Sequence, residues 1–176
     1  MNYMIVRENV TCDGPGLRTS VYFAGCQRAL DHQACPGCHN AVAWDKNAGH
    51  IWSDTEQYHV LQSLQPSYIA GLSILGGEPL SDFNLKGVIE LAEKVKRTYP
   101  NKSIWLWTGY VLDEVIKTSK KKKILKLLSY VDFVVDGPFV IEQKDPSLRF
   151  KGSANQRILK IEHSDRNRWV DVSDQF

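Results

Sequence analysis

The stretch from Cys26 to Cys38 constrains this chain more than any other feature of its sequence. It holds three of the four cysteines, which are Cys26, Cys35 and Cys38. An odd number of thiols cannot pair off completely into disulfides, so this set suits a thiophilic metal centre better than covalent bridges. We therefore expect the fold to bring these three side chains to one site.

Three thiol ligands leave a metal centre incomplete. A structural zinc site closes with four protein ligands, whereas an iron–sulfur cluster held by three cysteines keeps one iron open for another ligand. The zinc alternative would need His32 or His39 as its fourth ligand. A third alternative is a dithiol redox pair of Cys35 and Cys38, which leaves Cys26 without a role.

Length and charge limit the remaining possibilities. A chain of 176 residues can bury a core without disulfides, and we expect one domain over residues 1–176. A net charge of +2 does not indicate a nucleic-acid partner or an acidic one. Six lysines share one helical-looking segment, which we interpret as a solvated helix face; they are Lys117, Lys120, Lys121, Lys122, Lys123 and Lys126.

The sequence has no feature of a membrane or exported protein. No apolar run approaches the roughly 20 residues of a membrane span, and the first residues are too polar for a signal peptide. We predict a cytoplasmic protein with no membrane partner. In that compartment clustered cysteines bind metal or carry out redox chemistry more often than they form bridges.

Hydrophobic periodicity predicts alternating strands and helices. Runs of β-branched and aromatic residues predict strands over 19–24, 72–75, 103–107 and 131–135, a last strand at 158–161, and a strand or arm at 3–7. Helical spacing predicts helices over 53–64, 82–98 and 111–128, the last one broken near Thr118. Beyond Ser164 the pattern of residues indicates neither helix nor strand.

This alternation predicts an α/β fold with a parallel sheet, because parallel neighbours need crossover connections. The chain is too short for an eight-fold barrel of about 250 residues. We therefore expect a partial, open parallel βα barrel. The chemically distinctive loops each follow the carboxyl end of a predicted strand, where parallel α/β folds assemble their sites.

One of these loops is Gly76-Gly77-Glu78-Pro79. Glycines let the backbone approach a ligand closely, strand-end carbonyls accept hydrogen bonds from an ammonium group, and Glu78 adds a carboxylate. Alone, such a sequence is usually a plain tight turn. In the same sheet as the three cysteines, it predicts a cradle for a zwitterionic amino acid moiety.

The combined motifs resemble the radical S-adenosylmethionine (SAM) enzymes. Residues 13–18 (DGPGLR) and 38–40 (CHN) are similar to those of the glycyl-radical-enzyme activases. Residues 108–110, 135–139 and 149–158 resemble the short branch that activates anaerobic ribonucleotide reductase. The resemblance runs from about residue 5 to residue 160.

This resemblance implies a [4Fe–4S] cluster with SAM completing its open iron. The cluster ligands would be Cys26, Cys35 and Cys38. The SAM amino group would meet Gly76, Gly77 and Glu78. The rest of the SAM pocket would be lined by Thr108, Gly109 and Asp136.

The implied activity is radical generation. An electron, from a donor such as flavodoxin or ferredoxin, would cleave SAM reductively, and the 5′-deoxyadenosyl radical would take a hydrogen from a glycine of the partner reductase. Pyruvate formate-lyase or a small molecule is an alternative target. The short chain and the segment 149–158 favour the reductase.

The cysteine spacing departs from the family pattern Cys-x3-Cys-x2-Cys, because eight residues separate Cys26 from Cys35. Loop closure depends weakly on length, so the longer gap should cost less than about 1 kcal/mol. The spacing therefore remains compatible with a cluster. We interpret His32 as a polar loop residue and Cys12 as a thiol outside the ligand set.

Anaerobic reconstitution with iron and sulfide should give about four irons per chain and a visible absorbance that bleaches on reduction. Cys35→Ala should abolish iron binding, whereas the matched variant Cys12→Ala should retain it. Full iron content in Cys35→Ala would show that another thiol, such as Cys12, is the ligand.

Overall fold

A mixed, open sheet runs through the protein. The computed structural model describes residues 1–163 and 168–176, and within them the sheet has eight strands in the order β3-β1-β2-β4-β5-β6-β7-β8. The strands are β1 (Asn2–Val10), β2 (Leu17–Phe23), β3 (His50–Ile51), β4 (Ile69–Gly76), β5 (Ser103–Trp107), β6 (Phe133–Asp136), β7 (Arg157–Glu162) and β8 (Arg168–Asp171).

The helices connect the central strands. They are α1 (Gln27–Leu30), α2 (Asp54–Ser63), α3 (Asp82–Thr98), α4 (Leu112–Val115) and α5 (Lys121–Leu128), with short 3-10 turns at 41–43, 141–143 and 173–175. The predicted helices 53–64 and 82–98 are confirmed. The predicted break near Thr118 separates α4 from α5. No described helix is long and apolar enough to cross a membrane.

The parallel prediction holds only for the centre of the sheet. Strands β2, β4, β5 and β6 are parallel, whereas β1, β3, β7 and β8 each pair antiparallel with their neighbours. The prediction of a parallel sheet is therefore wrong for the strands at the edges. Only a short loop joins β1 to β2, and no α-helix lies between β6 and β7, so these strands return antiparallel. The partial-barrel curvature stays a prediction.

The chain termini differ in part from expectation. The predicted arm at 3–7 and last strand at 158–161 are confirmed as β1 and β7. Regular structure continues past Ser164, because β8 and the 3-10 turn 173–175 extend the sheet edge. Residues 164–167 lie outside the described part of the chain.

The main core lies between one face of the sheet and the helices. The apolar stripe of α3 is buried and includes Leu85, Val88, Ile89, Ala92 and Val95. It packs against strand residues that point to the same face, namely Val21, Ile74, Leu106 and Val134. Burial of this continuous apolar surface is the main source of stability for such a layered fold.

The other face of the sheet carries an aromatic cluster near the amino-terminal ends of the strands. Trp105 stacks on Phe133 with ring centroids 4.6 Å apart, and Phe150 and Phe176 meet Trp105 edge-on. Trp105 is fully buried and therefore serves as a packing residue. Phe176 at the carboxyl terminus thereby packs on this face of the sheet.

A buried arginine ties three central strands together beside that cluster. The Arg18 guanidinium donates from Nε to Ser73 Oγ (2.7 Å) and from Nη2 to the carbonyls of Leu72 (2.7 Å) and Ser103 (3.0 Å). Burial lowers the pKa of Arg18 to about 10, so the side chain stays charged at neutral pH. The hydrogen bonds offset much of the cost of burying that charge.

Replacing Arg18 with methionine should lower the free energy of unfolding by about 2–3 kcal/mol, because buried acceptors on β4 and β5 would lose their donor. Urea denaturation measures this change. Arg97→Met, at an exposed position of α3, is the control and should change the stability by less than about 0.5 kcal/mol. Equal denaturation midpoints for the two variants would contradict this structural role.

Candidate metal and cofactor site

The first cysteine of the loop is fixed at the exit of β2. Cys26 is the N-cap residue of α1 and is 8% exposed. Its backbone N–H donates to the Trp44 carbonyl at 3.1 Å. Burial raises the pKa of the Cys26 thiol to about 11, and the charges of Glu78 and Cys35 act in the same direction.

The other two cysteines face a cavity. Cys35 and Cys38 share a turn in which the Cys38 N–H donates to the Cys35 carbonyl at 3.1 Å. Both line a cavity of about 510 Å³, together with Gly76, Gly77 and His39. Within residues 1–163 and 168–176, no three side chains of His, Cys, Asp or Glu are arranged to hold a single metal ion.

The extra residues between Cys26 and Cys35 form a braced helical turn, α1, that sequence analysis missed. The Gln27 N–H donates to Ser81 Oγ at 2.9 Å, and the Arg28 guanidinium lies 5.6 Å from the centre of the Tyr110 ring. Since α1 bonds to the loops after β4 and β5, the insertion is an integral part of the strand-end surface. His32 is exposed at the end of this turn with φ of 57°.

The two glycines of the 76–79 turn are required by its close approach to the cysteine loop. A Cβ on Gly76 would lie 2.1 Å from the Phe23 carbonyl oxygen, and one on Gly77 would lie 2.2 Å from that of Gly25. The Gly77 N–H donates to Phe23 (2.8 Å) and the Glu78 N–H donates to Gly25 (2.8 Å). The turn therefore supports the backbone that leads directly into Cys26.

The Glu78 carboxylate joins two neighbouring strand ends. It is 1% exposed and accepts hydrogen bonds from the Leu80 N–H (2.9 Å), the Thr108 hydroxyl (2.8 Å) and the Gly109 N–H (2.8 Å). Burial raises the pKa of Glu78, while these hydrogen bonds act to lower it. Thr108 and Gly109, both predicted for the SAM pocket, line the cavity as a result.

Asp136, the third residue predicted to line the rest of the SAM pocket, has a different environment from Thr108 and Gly109. Its carboxylate is 1% exposed and accepts hydrogen bonds from the Leu112 N–H (2.7 Å) and from Arg157 Nε (2.9 Å) and Nη2 (2.6 Å). Arg157 faces it across the β6–β7 pair. Of the described residues at this strand end, Gly137 rather than Asp136 lines the cavity.

Several residues of the cavity wall escaped the sequence analysis. Tyr22 and Arg7 come from the antiparallel pair β1–β2, and Phe139 and Gln156 come from the segments between β6 and β7. The Tyr22 hydroxyl donates to Asp13 Oδ2 at 2.5 Å. The alternation in β2, with Val21 and Phe23 in the core, was the one signal that Tyr22 points to the opposite face.

The chain is similar to several known proteins. Residues 12–159 match the family described as a 4Fe-4S single cluster domain. The anaerobic ribonucleoside-triphosphate reductase-activating protein of Haemophilus influenzae is 37% identical over 163 residues, which cover 92% of this chain and 99% of the relative. The chain belongs to this family of activating proteins. Its Vibrio cholerae member is 39% identical over the same shares.

Further family members extend the match. The activating protein of Escherichia coli K12 is 34% identical over 90% of this chain and 97% of its own length. No solved structure matches the chain. Membership of the activating-protein family confirms the resemblance found in the sequence, and the 4Fe-4S domain favours the iron–sulfur interpretation over the zinc and dithiol alternatives.

Gly77→Ala should lower the free energy of unfolding by about 1–3 kcal/mol, because its Cβ would push on backbone, and should also reduce iron content after reconstitution. Gly109→Ala is the matched comparison. The nearest atom to its Cβ would be the flexible Arg28 side chain at 3.1 Å, so we expect a loss below about 1 kcal/mol. Denaturation midpoints and iron analysis measure the two effects. Equal losses of stability and of iron in Gly77→Ala and Gly109→Ala would contradict the backbone constraint at Gly77.

Proposed function

We propose that this protein uses an iron–sulfur cluster and SAM to generate a glycyl radical on an anaerobic ribonucleotide reductase. The observation that carries the proposal is the shared cavity, in which Cys35 and Cys38 meet Gly76 and Gly77. The relatives are activating proteins of anaerobic ribonucleoside-triphosphate reductase, which supports the reductase as the partner. They favour it over pyruvate formate-lyase.

The donor set fits an iron–sulfur cluster. Cys26, Cys35 and Cys38 would hold it, because thiolates are the ligands of such clusters and all three belong to one loop, in which Cys35 and Cys38 line the cavity and Cys26 is buried. When bound, the reduced cluster would supply one electron for the reductive cleavage of SAM, and so the radical chemistry by which the partner's glycine would lose a hydrogen atom. The protein's own residues bind and orient these groups.

The cavity also fits SAM. Its volume of about 510 Å³ lies within the usual range of small-ligand sites, roughly 300–1,000 Å³. Gly76 and Gly77 leave backbone exposed to an amino acid moiety, and the buried charge of Glu78 behind them favours an ammonium group. Thr108 and Gly109 would line the adjoining wall.

Asp136 would act on SAM only through the residues that it positions. Its bonds to Leu112 and Arg157 fix the start of α4 and the β6–β7 pair. We infer that it positions Gly137 and Gly109, which do line the cavity. In this proposal Asp136 is therefore a positioning residue.

The rim of the cavity suits a protein partner. Ile5 and Val42 line it and are 43% and 73% exposed. Large exposed apolar side chains around a cleft are typical of protein contact sites. A glycine-bearing segment of the reductase would enter here. The electron donor, flavodoxin or ferredoxin, and the cytoplasmic location stay predictions.

The test is an anaerobic assay of the reconstituted protein with SAM and dithionite. We expect 5′-deoxyadenosine to form and, when the reductase is added, a glycyl radical signal in electron paramagnetic resonance. Cys38→Ala should abolish both, and Lys86→Ala, at an exposed position, should change neither. Absence of SAM cleavage would contradict the proposal. A radical formed only on pyruvate formate-lyase would identify the alternative target.

A further inference from the structure

A long connection joins β6 to β7. It runs over residues 137–156 and contains the 3-10 turn Ile141–Gln143. Connections longer than about 12–15 residues are uncommon within compact domains, and those that are ordered are usually functional. The second half of this connection carries most of the motif 149–158, to which the proposed function gives no chemical role. We call residues 137–156 the strap.

The cysteine turn, residues 35–38, needs support from outside its own loop. Cys26 is fixed at the exit of β2, but residues 31–40 contain neither helix nor strand. The Cys38 N–H donates to the Cys35 carbonyl at 3.1 Å, which shapes the turn without fixing its distance from Cys26. Contacts from other segments therefore position Cys35 and Cys38 relative to the first cysteine.

The strap contacts the cysteine turn through Ile141. Gly37 lies between Cys35 and Cys38 and has φ of 67°. A Cβ on Gly37 would lie 2.6 Å from Ile141 Cδ1 and 3.4 Å from Ile141 Cγ1. The Ile141 side chain therefore lies directly against the backbone of the turn. Since Ile141 is 46% exposed, one side of it covers the turn and the other meets solvent.

Gln156 braces the strap from within. Its Oε1 accepts hydrogen bonds from the N–H groups of Gly152 (2.7 Å) and Ser153 (3.2 Å), and its Nε2 donates to the Gly137 carbonyl (3.0 Å). One side-chain amide thus joins the first residue of the strap to its second half. Gly137, Gly152 and Gln156 also line the cavity that Cys35 and Cys38 line, so the brace lies beside the candidate site.

Two further hydrogen bonds hold the two halves of the strap together around Ile141. The Val140 N–H donates to Ser153 Oγ at 3.2 Å. The Ala154 N–H donates to the Gln143 carbonyl at 2.8 Å. Because Ile141 lies between Val140 and Gln143, these bonds fix the segment whose side chain covers the cysteine turn.

The strap is anchored at a third place, in the aromatic cluster. Phe150 has φ of 63°, a conformation that is uncommon for a bulky residue. The Trp107 indole Nε1 donates to the Phe150 carbonyl at 2.9 Å, and the Phe150 ring meets Trp105 and Phe176 edge-on. Strained backbone persists where the surrounding structure holds it, and it is concentrated at functional sites. The strap therefore connects the aromatic cluster to the cysteine turn.

We propose that the strap is a clamp for the cysteine turn, in which Ile141 positions Cys35 and Cys38 and Gln156 holds the strap in place. Ile141 acts through Gly37, so it is a positioning residue. A turn that is fixed before it binds loses less conformational entropy when its ligands close on a metal centre. The inference rests on the proposed function for the identity of that centre, while the clamp itself can be tested without it.

The first test removes the Ile141 contact. Hydrogen exchange of the Cys38 N–H is measured in the iron-free protein, and iron release to a chelator is measured in the reconstituted protein. Ile141→Ala should speed each about 3- to 10-fold, because the turn loses its support. Ile141→Leu, which keeps an apolar side chain of the same volume, should stay within about 2-fold of the unmodified protein. The matched control Ile51→Ala, at an exposed position of β3, should change neither rate.

The second test loosens the strap away from the turn. Gln156→Ala removes the brace, so exchange should become faster both around Ile141 and at Cys38. Gln156→Glu keeps the acceptor for Gly152 and loses the donor to Gly137, and its effect should be smaller. Faster exchange around Ile141 in Gln156→Ala with unchanged exchange at Cys38 would overturn the clamp, because the strap and the turn would then move independently.

The remaining outcomes separate the clamp from a general structural role and from the proposed function. Cys38 exchange and iron release in Ile141→Ala equal to those of Ile51→Ala would overturn the clamp. Faster exchange throughout Ile141→Ala, with a lower urea midpoint, would also overturn it, because Ile141 would then support the whole fold. Absence of iron binding by the unmodified protein would instead contradict the proposed function, while exchange in the iron-free protein would still test the clamp.

Discussion

The candidate site depends on one buried carboxylate. Glu78 follows β4, yet its oxygens accept hydrogen bonds from Thr108 and Gly109, which follow β5. On the other side, the backbone of its turn bonds to the exit of β2, where the cysteine loop begins. Three strand ends are therefore held at fixed separations by one turn. A buried charge with several donors is costly to form but rigid once satisfied, which is what a site assembled from three separate loops needs.

The sequence was informative about the centre of the fold and less so about its edges. The buried strands β2, β4, β5 and β6 are apolar on both faces or rich in β-branched residues, and the α3 stripe repeats with helical spacing, so periodicity identified them. Strand direction at the edges depends on connections that have no hydrophobic pattern. The exposed two-residue strand β3 gives no such signal, and β8 is an edge strand in which only Trp169 is partly buried. The antiparallel edges could therefore not be predicted.

For the candidate site, the type of a residue predicted whether it belongs to the site better than it predicted which residues it contacts. The cysteines and glycines were identifiable because thiols and missing side chains have few other uses at strand ends. Asp136 was a reasonable choice by position, but an arginine opposite it on β7 takes up its carboxylate, and such a pair is set by register between distant segments. The helix α1 was missed because four residues are too few for a periodic pattern. Its stability comes from contacts with Ser81 and Tyr110 rather than from local propensity.

Gly109 lies where two cavities of the protein meet. It lines the cavity of the cysteines and a second cavity of about 500 Å³ beside α1, it has no side chain, and its N–H donates to Glu78, so the backbone at Gly109 borders both cavities. When ligands fill the cavity of the cysteines, water is removed from one side of this backbone. The charged side chains of the second cavity, among them Arg28 and Asp31, then stay in contact with water beside the first turn of the cysteine loop.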